Sequence, residues 1–410
     1  MRRLLLLLVV LALQMPAVAQ QSVAELCDEG KAAHQAGRFD EALVLFSNAI
    51  LMDSVNAEAY FFRGNTYAAK KDYRKAIVDF TSAIGIDPHF TQAFFGRGDA
   101  RSNLGEFTDA LADFSATLDL KPNFIGAWLA RGIMYMNLHD SLNAIYDVTT
   151  AIGLAPGKAM MYFIRGNIYA AFRDRRNAIN DFSRSIELEP NQPDIYFMRG
   201  GLYAALDEYP NAIRDYTKAI ELKPDYVDAY MMRSGAYGVM KDFPNVVEGM
   251  MQLIRIKPAF AQAYIIRSAG YIEMKQFANA VRDLSKAIDV MPADSTQMKS
   301  QVYNMIGYCH MECDELLLAK EAFVRSTGLD RENWDAEVGL ALVYFVRNDM
   351  ANARKHFTEA SKIEPRLGSG IDGIDELETN IWSYSEKKAA LLQQMIAALA
   401  QPTPPKRRGR

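Results

Sequence analysis

The sequence predicts an all-α chain, an α-solenoid of about ten helix pairs, and three observations carry that prediction. Pro88, Pro122, Pro156, Pro190, Pro224, Pro258 and Pro292 recur at a fixed 34-residue spacing. An aromatic column moves with them, Tyr60, Phe94, Trp128, Tyr162, Tyr196, Tyr230, Tyr264 and Tyr303, and four residues after each stands a small residue, Gly64, Gly98, Gly132, Gly166, Gly200, Ser234, Ser268 and Gly307. The second half of each unit repeats an alanine, as at Ala76, Ala110 and Ala178, with Phe80, Phe114 or Phe182 four residues beyond it. One helical turn separates the members of each couple, so they share a face. A period of this length describes a unit that cannot bury its apolar side alone and stacks on its neighbours.

Taken in order, residues 1–19 hold Arg2 and Arg3, an apolar run from Leu4 to Leu13, and the small-residue sequence Ala17, Val18, Ala19. That is the pattern of a secretory signal cleaved after Ala19, which predicts export from a bacterial cytoplasm. The periplasm is the expected destination, with secretion or outer-membrane association as the alternatives. The apolar run is short for a membrane span, so none is expected in the mature chain. Residues 20–367 form the repeats, with units at 23–56, 57–90, 91–124, 125–158, 159–192, 193–226, 227–260, 261–294, 300–333 and 334–367. Each proline ends a second helix, because the residue before it is pushed out of the helical region. The register departs at Ser54 and Arg331, which replace the proline, and around Ala293 to Met298, where five residues are added. In the seventh unit Val246, Met250 and Leu253 replace the usual alanine, aromatic and alanine. Residues 368–380 read as a connector, 381–400 as a capping helix with the stripe Leu391, Leu392, Met395, Ile396 and Leu399, and 401–410 as a disordered basic tail.

These columns together resemble the tetratricopeptide repeat, over nearly all of the mature chain, in an exported bacterial form. The resemblance implies a right-handed solenoid whose first helices line a concave groove in which a protein or peptide partner lies. The groove positions are then Phe61, Phe62, Phe95, Leu129, Met136, Phe163, Ile164, Phe197, Met198, Met231, Met232, Ile265 and Ile266. Small residues such as Ala68, Ala170, Gly201, Gly235 and Gly238 run between them. An exposed apolar strip of that length is a liability unless it binds something, and methionine adapts to varied partners. A non-enzymatic interaction scaffold is the function expected. A holdase for unfolded exported proteins is the alternative, and self-association or packing by adjacent repeats competes for the same strip. Family members that clamp an acidic C-terminal tail line the groove with lysine, arginine and asparagine; here only Asn65 and Asn167 match.

An arginine column precedes the small residue: Arg63, Arg97, Arg131, Arg165, Arg199, Arg233 and Arg267. Sixteen residues later stand Asp79, Asp113, Asp147, Asp181, Asp215 and Asp283, while Gly249 follows Arg233. Units with Glu29, Ile306 or Leu340 in the arginine column have Leu45, Ala322 or His356 in the other. The two columns vary together, which predicts a structural ion pair inside each unit, Arg63 with Asp79 through Arg267 with Asp283. Arg233 is left to pair with Asp215 or to stand free.

The formal net charge is −4, of which the signal contributes +2 and the tail +4, leaving −10 on the repeats. An acidic body lacks the basic face that nucleic acid requires. No phosphate-cradling glycine loop, zinc-protease histidine pair or nucleophile elbow is present, and no cofactor or metal is expected. Cys309, His310 and Cys313 offer too few ligands on one face for structural zinc, so both cysteines read as small buried thiols.

Overall fold

The structure, a computed structural model, describes residues 22–369 and 386–400. The expected signal, nearly all of the connector, the first residues of the expected capping helix and the basic tail lie outside the described residues. The contacts divide the chain between Asn191 and Gln192. Each part is an all-helical α-solenoid of consecutive helix pairs, with no strand among the described residues.

The first part runs α1 (Val23–Gln35), α2 (Phe39–Met52), α3 (Ala57–Ala69), α4 (Tyr73–Ile86), α5 (Thr91–Asn103), α6 (Phe107–Leu120), α7 (Ile125–Asn137), α8 (Ser141–Leu154), α9 (Ala159–Ala171) and α10 (Arg175–Leu188). The second runs α11 (Pro193–Ala204), α12 (Tyr209–Leu222), α13 (Val227–Val239), α14 (Phe243–Ile256), α15 (Ala261–Glu273), α16 (Phe277–Val290), α17 (Thr296–Glu312), α18 (Leu316–Leu329), α19 (Trp334–Val346), α20 (Met350–Ile363), a 3₁₀ turn at Pro365–Ser369, and α21 (Glu386–Ala400). The added residues near Ala293 lengthen α17 to 17 residues, against 13 in α15. No proline follows Pro292 in that stretch, so the insertion becomes an extra helical turn instead of a longer loop.

Two local devices set the angle within each pair. Every first helix ends on a left-handed residue: Gly37 and Gly105, with φ of 74° and 79°, and in the other units a non-glycine such as Lys71 at φ 61° or His139 at φ 60°. Asp72 N–H then donates to Tyr67 O and Lys71 N–H to Ala68 O, the crossed pair of bonds that satisfies the last carbonyls. The next residue starts the second helix, and where it is aspartate its side chain caps that helix. Asp140, Asp174, Asp242 and Asp349 each accept from the backbone N–H three residues on, at Asn143, Asn177, Asn245 and Asn352.

The small residue of the first helix exists for the large one of the second. A β-carbon on Gly64 would stand 2.9 Å from Phe80, one on Gly98 2.8 Å from Phe114 and one on Gly166 2.7 Å from Phe182. Where serine replaces glycine, the facing ring is gone as well: Ser234 is paired with Met250 and Ser268 with Leu284, all buried. The seventh unit thus trades ring for side-chain bulk, and Val246, Met250 and Leu253 stay in the core. Successive units are tied by the aromatic column. Trp128 Nε1 donates to Pro122 O at 2.8 Å, Tyr162 hydroxyl to Pro156 O at 3.2 Å and Tyr264 hydroxyl to Pro258 O at 3.0 Å. At the far end Leu392, Met395 and Leu399 of α21 are buried in the cluster built by Val338, Leu342 and Leu367.

Candidate functional site

The arginine column and the aspartate column meet in space. Arg63 Nε and Nη2 each lie 2.8 Å from an Asp79 carboxylate oxygen. The same fork closes Arg97 on Asp113, Arg131 on Asp147, Arg165 on Asp181, Arg199 on Asp215 and Arg267 on Asp283, the shortest contact in each being 2.6–2.8 Å. Asp113 takes a second cation, Arg101, at 2.8 Å. The third nitrogen reaches backward to a hydroxyl of the previous unit. Arg63 Nη1 donates to Ser47, Arg97 to Thr81, Arg131 to Ser115 and Arg165 to Thr149, at 3.0–3.2 Å. Each guanidinium also lies over the aromatic column, as with Arg131 and Trp128 at 4.9 Å. The carboxylate contacts hold the Arg63, Arg131, Arg165 and Arg267 guanidinium groups above their ordinary pKa. In Arg63, Arg97, Arg131 and Arg165 the fork, a hydroxyl and a ring are all engaged, which gives these arginines a structural role.

Arg233 is the exception. Gly249 stands in its aspartate position, Asp215 belongs to Arg199, and Arg233 instead touches Thr217 at 3.2 Å and Gln252 at 3.4 Å.

The expected groove positions divide into two kinds. Phe61, Phe95, Phe163 and Phe197 pack against rings of their own units: Phe80, Phe114, Phe182 and Tyr216 at 5.6–6.0 Å between centroids. Three of them also meet an aromatic two residues after the proline, Phe61 on Phe90, Phe95 on Phe124 and Phe197 on Tyr226, at 4.9–5.0 Å. Leu129, Met136 and Ile164 flank the cluster of Val148 and Ile152, and Met231 and Ile266 that of Met250 and Leu253. Ile265 flanks the cluster around Leu284. Phe62 stacks on Phe46 of the preceding unit at 5.9 Å. All of these and Met198 remain half-buried, and Met232 is 50% exposed. The strip is therefore partly core and partly surface. Between its members lie gaps: around Gly235 and Gly238 an added β-carbon would meet nothing within 4 Å, and at Gly201 only the Tyr216 hydroxyl at 3.9 Å. On the rim, Glu58, Asp194 and Asp228 are exposed, whereas Asp335 accepts from Asn304 at 2.6 Å and from the Tyr308 hydroxyl at 2.8 Å.

Four segments match family models, each described as a tetratricopeptide repeat: residues 57–90 and 193–226 in one, 159–192 and 300–333 in another. These units are tetratricopeptide repeats. The matched tetratricopeptide segments begin with the helix pairs α3–α4, α9–α10 and α11–α12, whereas the match at 300–333 begins inside α17, which starts at Thr296. No curated protein matches the sequence. Among solved structures the chain is similar to MamA, at 26% identity over 38% of this chain and 92% of that one, with a TM-score of 0.37. It is similar to YrrB, a tetratricopeptide protein with an unusual peptide-binding site, at 21% identity over 45% of this chain and 95% of the other, TM-score 0.40. A third is the C-terminal part of a tetratricopeptide-containing protein from Cytophaga hutchinsonii, at 16% identity over 69% and 99% of the two chains, TM-score 0.49.

Among the described residues no group of three or more His, Cys, Asp or Glu is placed to hold a metal ion. No described helix is long and apolar enough to cross a membrane. The two cysteines of α17 and its end part company: Cys309 is buried and Cys313 exposed, which corrects the expectation of two buried thiols. The reason is position, since Cys313 lies just past the last turn of α17.

Proposed function

We propose that this protein is a non-enzymatic interaction scaffold, acting outside the cytoplasm, that holds an extended or helical segment of a protein partner along its first helices. The observation that carries the proposal is the surface of α11 and α13, where Met232 is exposed and Phe197, Met198 and Met231 are half-buried around the open space at Gly235 and Gly238. Apolar side chains separated by room for guest side chains are what an anchor-in-pocket interface requires. The tetratricopeptide nature of four units supports the same role. Methionine favours a second use, a holdase for unfolded exported chains: Met160, Met232 and Met240 are 61%, 50% and 48% exposed, and flexible thioethers repack around dissimilar clients.

A photo-crosslinking residue at Gly235, activated in the protein's own cell and followed by mass spectrometry, separates these uses. One or two recurrent proteins mark a scaffold, and a broad set of misfolded exported chains marks a holdase. Phe163→Ala and Phe197→Ala are poor test variants because both rings pack against their own units, on Phe182 and Tyr216. The combination Met198→Glu and Met232→Glu alters the open face instead, and unchanged crosslinking by that folded variant removes the strip from the proposal. Extracytoplasmic location rests on the signal pattern of residues 1–19. Its check is the N-terminus of the mature protein, Gln20 in an exported fraction; a chain retaining Met1 in the cytoplasm defeats it.

A further inference from the structure

Arg233 sits where Arg199 and Arg267 sit in the neighbouring units, yet the two nitrogens those arginines give to aspartate have no carboxylate in reach. Its Nη1 keeps the hydroxyl contact of the column, to Thr217 at 3.2 Å. Its Nη2 makes a long contact of 3.4 Å to Gln252 Oε1, while the amide of Gln252 is turned to Glu248 at 3.0 Å. Nε is buried and has no protein partner, and the same holds for the hydroxyl of the next residue, Ser234, which is 1% exposed. Both residues border Gly249. A β-carbon at Gly249 would stand 3.0 Å from Ser234 Oγ and 3.7 Å from Arg233 Nη2. Val246, Met250 and Leu253 of the same helix are buried, and the Tyr230 ring lies 5.5 Å from the guanidinium carbon. Burial draws the Arg233 guanidinium below its ordinary pKa, the reverse of the paired arginines.

A buried cation whose Nε has no partner and whose Nη2 has only the long Gln252 contact, with an unpartnered hydroxyl beside it, is matched by a planar anion. Gly249 lacks the carboxylate that aspartate brings to the other units, and a β-carbon there would press on Ser234 Oγ at 3.0 Å, so a carboxylate fits only where that hydroxyl turns aside. Serine in that column does not exclude a carboxylate, because Ser268 coexists with the Arg267–Asp283 pair by turning its hydroxyl onto Ile265 O at 2.6 Å. We propose that Gly249, Arg233 and Ser234 form a binding site for a small diffusible carboxylate of formate size, which completes the seventh unit as aspartate completes its neighbours. Because Nε and the Ser234 hydroxyl are buried, the ligand of this proposal is a small free anion and not the side chain of a docked protein.

The test is a urea titration of the mature chain at constant ionic strength, with formate exchanged for gluconate, a carboxylate too large for the site. A formate concentration ten times the dissociation constant shifts the folding equilibrium of the wild type about elevenfold, and the shift saturates. Gly249→Asp, which supplies the carboxylate in place, starts from a higher midpoint and shows no formate-specific gain; neither does Arg233→Leu. An equal response of wild type and Gly249→Asp means a general salt effect and overturns the site. So does the absence of a saturable response, which means that water alone solvates Arg233. Line broadening of ¹³C-formate by the wild type and not by Gly249→Asp gives the same decision without unfolding.

Discussion

Arg131 and Asp147, sixteen residues apart on facing helices, are joined by two contacts, Nε to Oδ2 at 2.8 Å and Nη2 to Oδ1 at 3.0 Å, with the Asp147 side chain 1% exposed. The third nitrogen of Arg131 reaches Ser115 in the unit before. One arginine therefore fixes both the spacing within its own helix pair and the register of that pair on the previous one.

Breaking one side of this arrangement leaves an uncompensated buried charge. Asp147→Ala should lower stability by about 3 kcal/mol, and replacing both residues by leucine should cost less than the single change. Urea midpoints of the three proteins decide it, and an Asp147→Ala midpoint equal to wild type defeats the structural role. Ser115→Ala removes only a neutral acceptor at the edge and should cost about 1 kcal/mol.

Glycines of the same helix pair should respond with opposite sign. Gly64→Ala drives a methyl to 2.9 Å from the buried Phe80 ring, and overpacking of that kind costs about 1–3 kcal/mol. Gly85, in the last turn of α4, has nothing within 4 Å of an added β-carbon. Gly85→Ala should stabilise by about 0.5 kcal/mol through helix propensity. Thermal midpoints that move together in the two variants contradict the close-approach explanation.

The left-handed residue between helices offers a gain. Lys71 holds φ 61° without being glycine, which for a side-chain-bearing residue costs about 1 kcal/mol. Lys71→Gly releases that strain against a smaller entropic loss and should raise the midpoint, whereas Lys70→Gly, one residue earlier at φ −80°, should lower it.

How far the sequence carried follows from these particulars. The helix pairs were legible because proline, aromatic and glycine recur in one register, and each is tied to a local requirement, a helix stop, a cross-unit bond or a close approach. Arg63 and its counterparts were legible through covariation with aspartate within one chain. The hydroxyl column Ser47, Thr81, Ser115 and Thr149 recurs just as strictly, but a serine or threonine on a helix has no stated partner until the previous unit is packed beside it. The left-handed turn was hidden for a different reason: only Gly37 and Gly105 announce it by residue type, and Lys71, His139 or Arg173 do not. Apolar periodicity leaves surface and packing open for the strip on the first helices, because it does not say how much of a ring its own unit covers. Phe90, Phe124 and Tyr226, two residues after the proline, supply that cover and stand at a readable interval.

Alkaline pH should reveal two buried acids that stay neutral in the folded chain. Burial pushes the Tyr216 hydroxyl from its ordinary 10.0 up to about 12 and the Cys309 thiol from 9.0 up to about 12. The folded state then binds protons that the unfolded state has already released, so stability falls as pH rises. The contribution of each group is fully present below its ordinary value and is lost on the way to about 12. Tyr216 accounts for roughly 2 kcal/mol over that window. Tyr216→Phe keeps the ring against Gly200 and should flatten the fall in urea midpoint above about pH 10. Cys309→Ala should flatten it from about pH 9 onward. In the native protein the exposed Cys313 should react with iodoacetamide while Cys309 does so only on unfolding, since the thiolate is the nucleophile. A midpoint that stays level up to about pH 11 in wild type, or one that Tyr216→Phe leaves falling as steeply, means that neither group is held neutral by burial.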